Sequence, residues 1–208
     1  MNRTDTARPA ASVPIDHGGE DNDGALLARI AQGDMSGFEV LVDRYKARVF
    51  RFIHVRVGEW HTAQDLSQET FLRLFRAARG RRLDGRGTIA AWLFTIARHC
   101  TIDHLRHRSQ RRTEHGSVED GGHLLEELAS ADPGPPDRVS QRERVRVVRA
   151  LLQELPAEQR EVIELKTWAG LTFAQVAEVT GRPITTVKSQ MAYGLNKLAR
   201  RMPGREEL

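Results

Sequence analysis

The sequence predicts an all-α protein: two small helical domains joined by a flexible acidic linker. Three observations carry this. Apolar residues recur at three- and four-residue steps through most of the chain, no segment alternates apolar and polar with period two, and the charge falls into blocks. The chain has 208 residues and a net charge of +4. Residues 1–24 hold 2 basic and 5 acidic side chains, residues 25–112 hold 17 and 8, residues 113–137 hold 0 and 7, and residues 138–208 hold 13 and 8. Two basic bodies therefore flank an acidic segment and follow an acidic tail. Basic bodies of this kind suit a polyanion, because each Lys or Arg set on a phosphate releases counterions. Solvated surface charge is the plainer alternative.

Residues 1–24, rich in Asp, Gly and Pro with little to bury, read as a disordered tail. Helices should fill 25–112. Leu26, Leu27 and Ile30 form a short stripe that stops at Gly33. Ser36 and Glu39 have capping-box spacing ahead of a stripe through Phe38, Leu41, Val42, Tyr45, Val49, Phe52 and Ile53, which Gly58 ends. Thr62 and Asp65 repeat that spacing. Leu66, Thr70, Leu74 and Ala78 mark the next buried face, widened by Phe71 and Phe75 and closed by Gly80. Thr88 can cap a fourth helix with apolar positions Ile89, Trp92, Leu93, Ile96, Ala97, Cys100 and Leu105.

The segment 113–137 is acidic and rich in Gly and Pro, the composition of a linker. The second domain, 138–204, starts with a stripe through Val145, Val148, Leu151, Leu152 and Leu155. Pro156 can serve as the first-turn proline of a helix bearing Val162, Ile163 and Leu165. Leu171–Thr180, the turn Gly181-Arg182-Pro183 and Ile184–Met202 then have the pattern of a helix-turn-helix.

That last helix is the sharpest feature. No acidic residue falls between Glu178 and Glu206, while Arg182, Lys188, Lys197, Arg200, Arg201 and Arg205 all do. A helix in the major groove needs a face free of carboxylates and donors near its N-terminus. Thr185, Thr186, Lys188, Ser189, Gln190 and Tyr193 supply such groups, and Ile184, Val187, Met191, Leu195 and Leu198 should face inward. An ordinary helical hairpin with a basic face is the weaker reading. In the first domain, Arg73 to Arg112 holds 11 basic residues against Asp84 and Asp103, with Trp92, Phe94 and a Gly-containing loop among them. Cations interleaved with aromatics suit unstacked bases, although a tryptophan on an apolar stripe is more often core.

The run Asp65-Leu66-Ser67-Gln68-Glu69-Thr70-Phe71-Leu72-Arg73-Leu74-Phe75 resembles the region 2 helix of bacterial sigma-70-family factors. So do Ala91 to Arg98 and Ile102 to Arg106. Leu155 to Arg160, the Leu171–Thr180 helix and Thr186-Val187-Lys188-Ser189 resemble region 4. With both regions in order and no intervening region, the chain resembles a group IV, extracytoplasmic-function sigma factor.

That resemblance implies a promoter-specificity subunit rather than an enzyme. Asp65, Gln68, Glu69 and Leu72 would dock on the clamp coiled coil of the polymerase largest subunit, with the flap as a further contact. Arg82, Arg86, Trp92, Arg98, His99, Asp103 and Arg106 would bind and open the −10 element, expending binding energy on a flipped base. Arg182, Thr185, Thr186, Lys188, Ser189, Gln190, Tyr193 and Lys197 would read the −35 element. Promoter DNA and core RNA polymerase are the implied partners, with an anti-sigma factor besides.

Three departures bear on base preference. His99 stands where many relatives have Asn, and Lys188-Ser189-Gln190 and Tyr193-Gly194 stand where Arg-Ser-Arg and Arg-Ala are common. The missing guanidiniums remove bidentate guanine contacts worth about 1–3 kcal/mol each.

Two competing functions are weaker. A stand-alone helix-turn-helix regulator leaves the first domain unexplained. A nuclease built on Asp65, Glu69 and Asp103 competes with capping and docking roles for the same carboxylates. Cys100, His104 and His107 at i, i+4 and i+7 could hold a metal, but Cys100 belongs to the core stripe and the histidines suit phosphates. Neither a metal nor another cofactor is expected. The single cysteine excludes an intramolecular disulfide, no run is long enough to span a bilayer, and no secretory leader is expected, which together suggest a cytoplasmic protein.

Overall fold

A computed structural model describes residues 23–80, 88–114, 147 and 149–201, with side chains given up to residue 111 in the second of these stretches. Among them all regular structure is helical. The expected tail, Arg82, Arg86 and the linker lie outside the described residues, apart from Asp23 and Gly24 of the tail and the helical residues 113–114.

The first body comprises α1 (Asp23–Ala31), α2 (Met35–Val57), α3 (Trp60–Arg79) and α4 (Ile89–Glu114). At nine residues α1 is too short to hold by itself and depends on packing. Leu26 and Ile30 bury against α2, and Gly37 admits the close approach, its Cβ position lying 3.1 Å from the Leu26 carbonyl. The helix begins at Asp23, inside the expected tail. Its carboxylate is buried, accepts a 2.5 Å hydrogen bond from the Tyr45 hydroxyl and pairs with Arg44. A carboxylate in a first turn also complements the helix dipole.

Gly33, at φ +93°, turns the chain into α2. Asp34, not Ser36, caps that helix, accepting the Ser36 N–H at 2.9 Å. The Ser36 hydroxyl donates to the same carboxylate, which bonds from Ser36 and Arg29 hold at a pKa of about 2. The expected Ser36–Glu39 box is thus displaced by a stronger acceptor two residues earlier. Likewise Glu59 precedes α3 and takes the Thr62 hydroxyl at 2.7 Å, so that helix starts before the expected Thr62. Gly58 ends α2 in the left-handed conformation, and Gly80 closes α3 at φ −75°. Thr88 caps as expected, accepting the Ala91 N–H at 3.2 Å.

Leu41, Tyr45, Val49, Phe52 and Ile53 of α2 meet Ala63, Phe71 and Leu74 of α3 and Leu93, Phe94 and Ala97 of α4 in one apolar cluster. Phe52 and Phe94 pack edge to face at 5.6 Å. Leu105, expected inside, is 37% exposed, because α4 runs on past the end of the bundle.

The second body holds a helical segment at 149–153, then α5 (Ala157–Thr167), α6 (Phe173–Thr180) and α7 (Ile184–Ala199). Leu152 and Leu155 are buried, while Val145 and Val148 lie outside the residues whose side chains are described. Pro156 sits one residue before α5, as its cap, instead of in its first turn. Thr172 and Gln175 form a complete capping box on α6, with bonds of 3.2 and 2.8 Å, a signal the sequence reading passed over. Gly181 at φ +67° then reverses the chain through the helix-turn-helix.

The inward face of α7 is Val187, Met191, Gly194 and Leu198, with Ile184 at 41% and Leu195 at 46% exposure turned outward against expectation. Leu195 is displaced because α5 crosses α7 one position earlier, at Gly194. A Cβ there would sit 2.7 Å from Ile163 Cδ1 and 3.3 Å from Gln159 Cβ. The glycine that weakens α7 by about 1 kcal/mol in propensity is the residue that lets α5 and α7 touch. Gly194→Ala should therefore fail to return that gain, and Gly194→Val should cost about 1–3 kcal/mol through overpacking. Urea denaturation of both variants measures this.

The two bodies also pack on each other. Val162, Leu165, Ala169, Leu171, Val176 and Val179 belong to the same continuous apolar cluster as Phe52 and Phe94.

Candidate nucleic-acid and polymerase interfaces

Three surfaces gather the expected residues. On α3, Asp65, Gln68, Glu69 and Leu72 fall at i, i+3, i+4 and i+7 and share one ridge, opposite the buried Ala63, Ser67, Thr70 and Leu74. The ridge spans about 10 Å along the helix axis. Asp65, Gln68 and Leu72 are exposed, Leu72 at 46%. Glu69 bonds Arg73 at 2.7 Å, and that bond holds its carboxyl below the usual range. An apolar side chain standing in solvent among an acid, an amide and a second acid is a shape for a protein partner with matching cations.

On α4, His99, Asp103 and Arg106 are exposed and Trp92 is half-buried. Phe94 is fully buried against Phe52, so it cannot stack on a base. Cys100 is buried, and burial pushes its thiol up, while His104 is half-buried and burial pulls its imidazole down. No group of three metal-ligating side chains occurs among the described residues.

On α7, Thr185, Lys188, Ser189 and Tyr193 are exposed, Tyr193 at 65%. Thr186 and Gln190 are half-buried. Lys197 bends back to the Glu154 carbonyl at 2.9 Å, and Arg201 pairs with the Glu154 carboxylate at 2.5 Å. The capping box of α6 and the left-handed Gly181 fix how this helix projects, leaving its N-terminal half facing outward.

The sequence reading missed the charges between the bodies. Glu161 of α5 is buried yet bonds Arg98 of α4 at 2.7 Å, with Arg56 of α2 and Arg182 of the helix-turn-helix each 3.4 Å away. Glu164, one helical turn on and also buried, bonds Arg56 at 2.7 Å. Arg48 donates to the Ala169 and Gly170 carbonyls at 2.7 and 3.2 Å, Arg149 to the Arg56 carbonyl at 3.1 Å, and the Thr88 N–H to Glu178 at 3.4 Å. Two arginines expected on DNA, Arg98 and Arg182, thus share one carboxylate. The pairs that Arg98, Arg56 and Arg48 make across the bodies span 63 to 122 positions and leave no local pattern in a sequence.

The two acids titrate in opposite directions. Burial pushes Glu161 up, but the Arg98 hydrogen bond and the charges of Arg98, Arg56 and Arg182 outweigh it and set the carboxyl below its usual range. Burial dominates at Glu164, and Arg56 only partly offsets it, so that carboxyl lies above. A depressed carboxylate contributes stability that is present above its unfolded value and is lost as pH falls through the lower folded value; a raised one carries a penalty at neutral pH that acid relieves.

These features define a class: an all-helical, two-body protein with a helix-turn-helix in one body and an exposed acid–amide–apolar ridge on the other. Residues 41–111 match the family model for sigma-70 region 2, and residues 146–198 match that for sigma-70 region 4. The chain is 34% identical over 175 residues to the ECF RNA polymerase sigma factor SigC of Mycobacterium tuberculosis, covering 84% of this chain and 88% of that protein. In fold it is similar to CnrH, solved in complex with the cytosolic domain of CnrY, with a TM-score of 0.65, 21% identity, and coverage of 87% of this chain and 97% of that one. It is similar also to the sigma factor RpoE of Bartonella quintana, solved with the anti-sigma factor NepR, with a TM-score of 0.58, 23% identity, and coverage of 78% and 94%. The chain belongs to the sigma-70 family, as a sigma factor of the extracytoplasmic-function type, and is not an enzyme. The stand-alone regulator reading gives way to it.

Glu161→Gln should lower stability by about 1–3 kcal/mol, the scale of a lost charged hydrogen bond, and by more than Glu164→Gln. The gap between wild type and Glu161→Gln should close as pH is taken from neutral to below 4.5, the unshifted value of this carboxyl. Thermal melts across that range read both.

Proposed function

We propose that the chain binds core RNA polymerase through the α3 ridge and reads promoter DNA through α4 and α7. The observation that carries this reading is the pairing of an exposed acid–amide–apolar ridge on one body with a carboxylate-free, outward-facing reading helix on the other. Asp65, Gln68, Glu69 and Leu72 meet the clamp coiled coil of the largest subunit, and the second body meets the flap. The body spanning 25–112 binds and melts the −10 element, using Arg82 and Arg86 together with Trp92, Arg98, His99, Asp103 and Arg106 of α4. The body spanning 138–204 reads the −35 element with Arg182, Thr185, Thr186, Lys188, Ser189, Gln190, Tyr193 and Lys197, and the segment 113–137 links the two. An anti-sigma protein holds the chain inactive, in line with the NepR complex of its structural neighbour. None of the described helices is long and apolar enough to cross a membrane, which suits action in the cytoplasm.

Run-off transcription with core polymerase across a genomic promoter library tests the function. Promoter-dependent transcripts are expected, and their complete absence contradicts the reading. Gln68→Ala combined with Glu69→Ala should weaken polymerase binding at least tenfold, about 1.4 kcal/mol, and leave duplex binding by the chain alone unchanged. Equal losses in both assays contradict separate surfaces. Lys188→Ala should flatten the salt dependence of DNA affinity by about one phosphate contact; an unchanged slope in salt titrations contradicts a backbone role.

A further inference from the structure

Gln190 stands half-buried at the edge of the α7 reading face, with Thr186 one turn before it and Tyr193 one turn after. Its amide carries an acceptor at one corner and donors at the other, so what it reads depends on which corner meets a base. Here the oxygen is taken: Arg182 Nη1 donates to Gln190 Oε1 at 3.4 Å. An arginine only donates, so the amide nitrogen cannot occupy that place. Arg182 is itself anchored. Its backbone N–H donates to the Ala177 carbonyl at 3.2 Å, just after the left-handed Gly181, and the same Nη1 lies 3.4 Å from the buried Glu161 carboxylate. Burial raises that carboxyl, but the Arg98 hydrogen bond and the charges of Arg98, Arg56 and Arg182 outweigh it and keep it ionised at neutral pH. We propose that Arg182 holds the Gln190 amide with its oxygen toward the protein and its nitrogen toward the groove, so that Gln190 reads guanine and not adenine in the −35 element. The inference rests on the −35 role given above to α7 and Gln190.

Base chemistry sets the direction of the preference. A glutamine ordinarily grips adenine with both corners of its amide, the oxygen on the N6 amine and the nitrogen on N7. A glutamine in a reading helix would therefore suggest adenine. With the oxygen held by Arg182, only the two N–H donors remain for the groove. Guanine offers them two acceptors, N7 and O6, while thymine O4 and adenine N7 offer one each. The exocyclic amine of cytosine meets them donor to donor, which leaves both groups unsatisfied. The expected order is guanine first, thymine and adenine behind it, and cytosine last. Arg182 is then a positioning residue, acting on the base through Gln190, and Glu161 steadies it from α5. Glu161, Arg182 and Gln190 all belong to the second body.

The test is selection of bound sequences from a random duplex library by the full chain assembled with core polymerase, followed by sequencing. Gln190→Ala locates the base pair that Gln190 reads, by flattening the preference there. At that position the wild type should favour guanine over adenine about tenfold, within the range of a good base contact. Arg182→Ala frees the amide oxygen and should raise adenine to or above guanine. Gln190→Glu leaves acceptors alone and should turn the preference to cytosine, whose amine donates. Arg200→Ala removes an exposed arginine at the end of the same helix and should move no base preference. Far-UV circular dichroism checks that helices persist; if Arg182→Ala unfolds, the wild-type preference and Gln190→Glu carry the test. Adenine favoured by the wild type at the Gln190 position overturns the inference and leaves the −35 reading standing. So does a folded Arg182→Ala that loses affinity alike for all sequences with its base preference unchanged, and so does an enriched motif that Gln190→Ala leaves unaltered. No enriched motif with any version removes the −35 reading and this inference with it.

Discussion

A carboxylate taken out of water is tolerated only where cations and donors replace its hydration. Glu161 meets that condition with three arginines drawn from α2, α4 and the helix-turn-helix, and Glu164 meets it less completely, chiefly with Arg56. The position of α5 against the first body is set by this arrangement together with the apolar cluster that Val162 and Leu165 share with Phe52 and Phe94. So is the placement of α6 over the start of α4, and with it the partial covering of the surface expected on DNA. Because Arg98 bonds Glu161 directly while Glu164 lies above its usual carboxylate range, the two neighbouring acids do different things within one turn of helix.

The remaining architecture divides labour between faces. On α3 the buried side builds the four-helix core and the other side presents Asp65, Gln68 and Leu72. On α7 the buried side is set by Gly194 against Ile163, and the exposed side is set by the turn at Gly181. On the proposed reading, polymerase and DNA meet different helix faces, so the two ligands do not compete for one surface.

Much of this was legible in the sequence, for stated reasons. Helix extents followed from apolar spacing and from Gly58, Gly80 and Gly181, because burial and glycine stops are local in sequence. Caps were less legible: Asp34 outcompeted Ser36, Glu59 preceded Thr62, and the Thr172–Gln175 box went unnoticed. The face of α7 was misjudged at Ile184 and Leu195, since periodicity gives a stripe but not where a neighbouring helix crosses it. Phe94 read as a base-stacking candidate and is core, because composition cannot tell an aromatic between cations from one beneath them. The Glu161 cluster was invisible, as its partners come from distant helices and each is an ordinary charge in its own segment. The ridge on α3 and the outward face of α7 were accessible to sequence because each lies on a single helix.

The central claim is that α3 faces polymerase while α7 faces DNA in one assembly. Photocrosslinking from residues placed at positions 72 and 189, in a reconstituted complex of the full chain, core polymerase and promoter DNA, tests it most directly. The account predicts adducts from position 72 to a polymerase subunit and from position 189 to DNA upstream of the start site. Adducts from both positions to DNA alone, or from position 189 to polymerase alone, would contradict it.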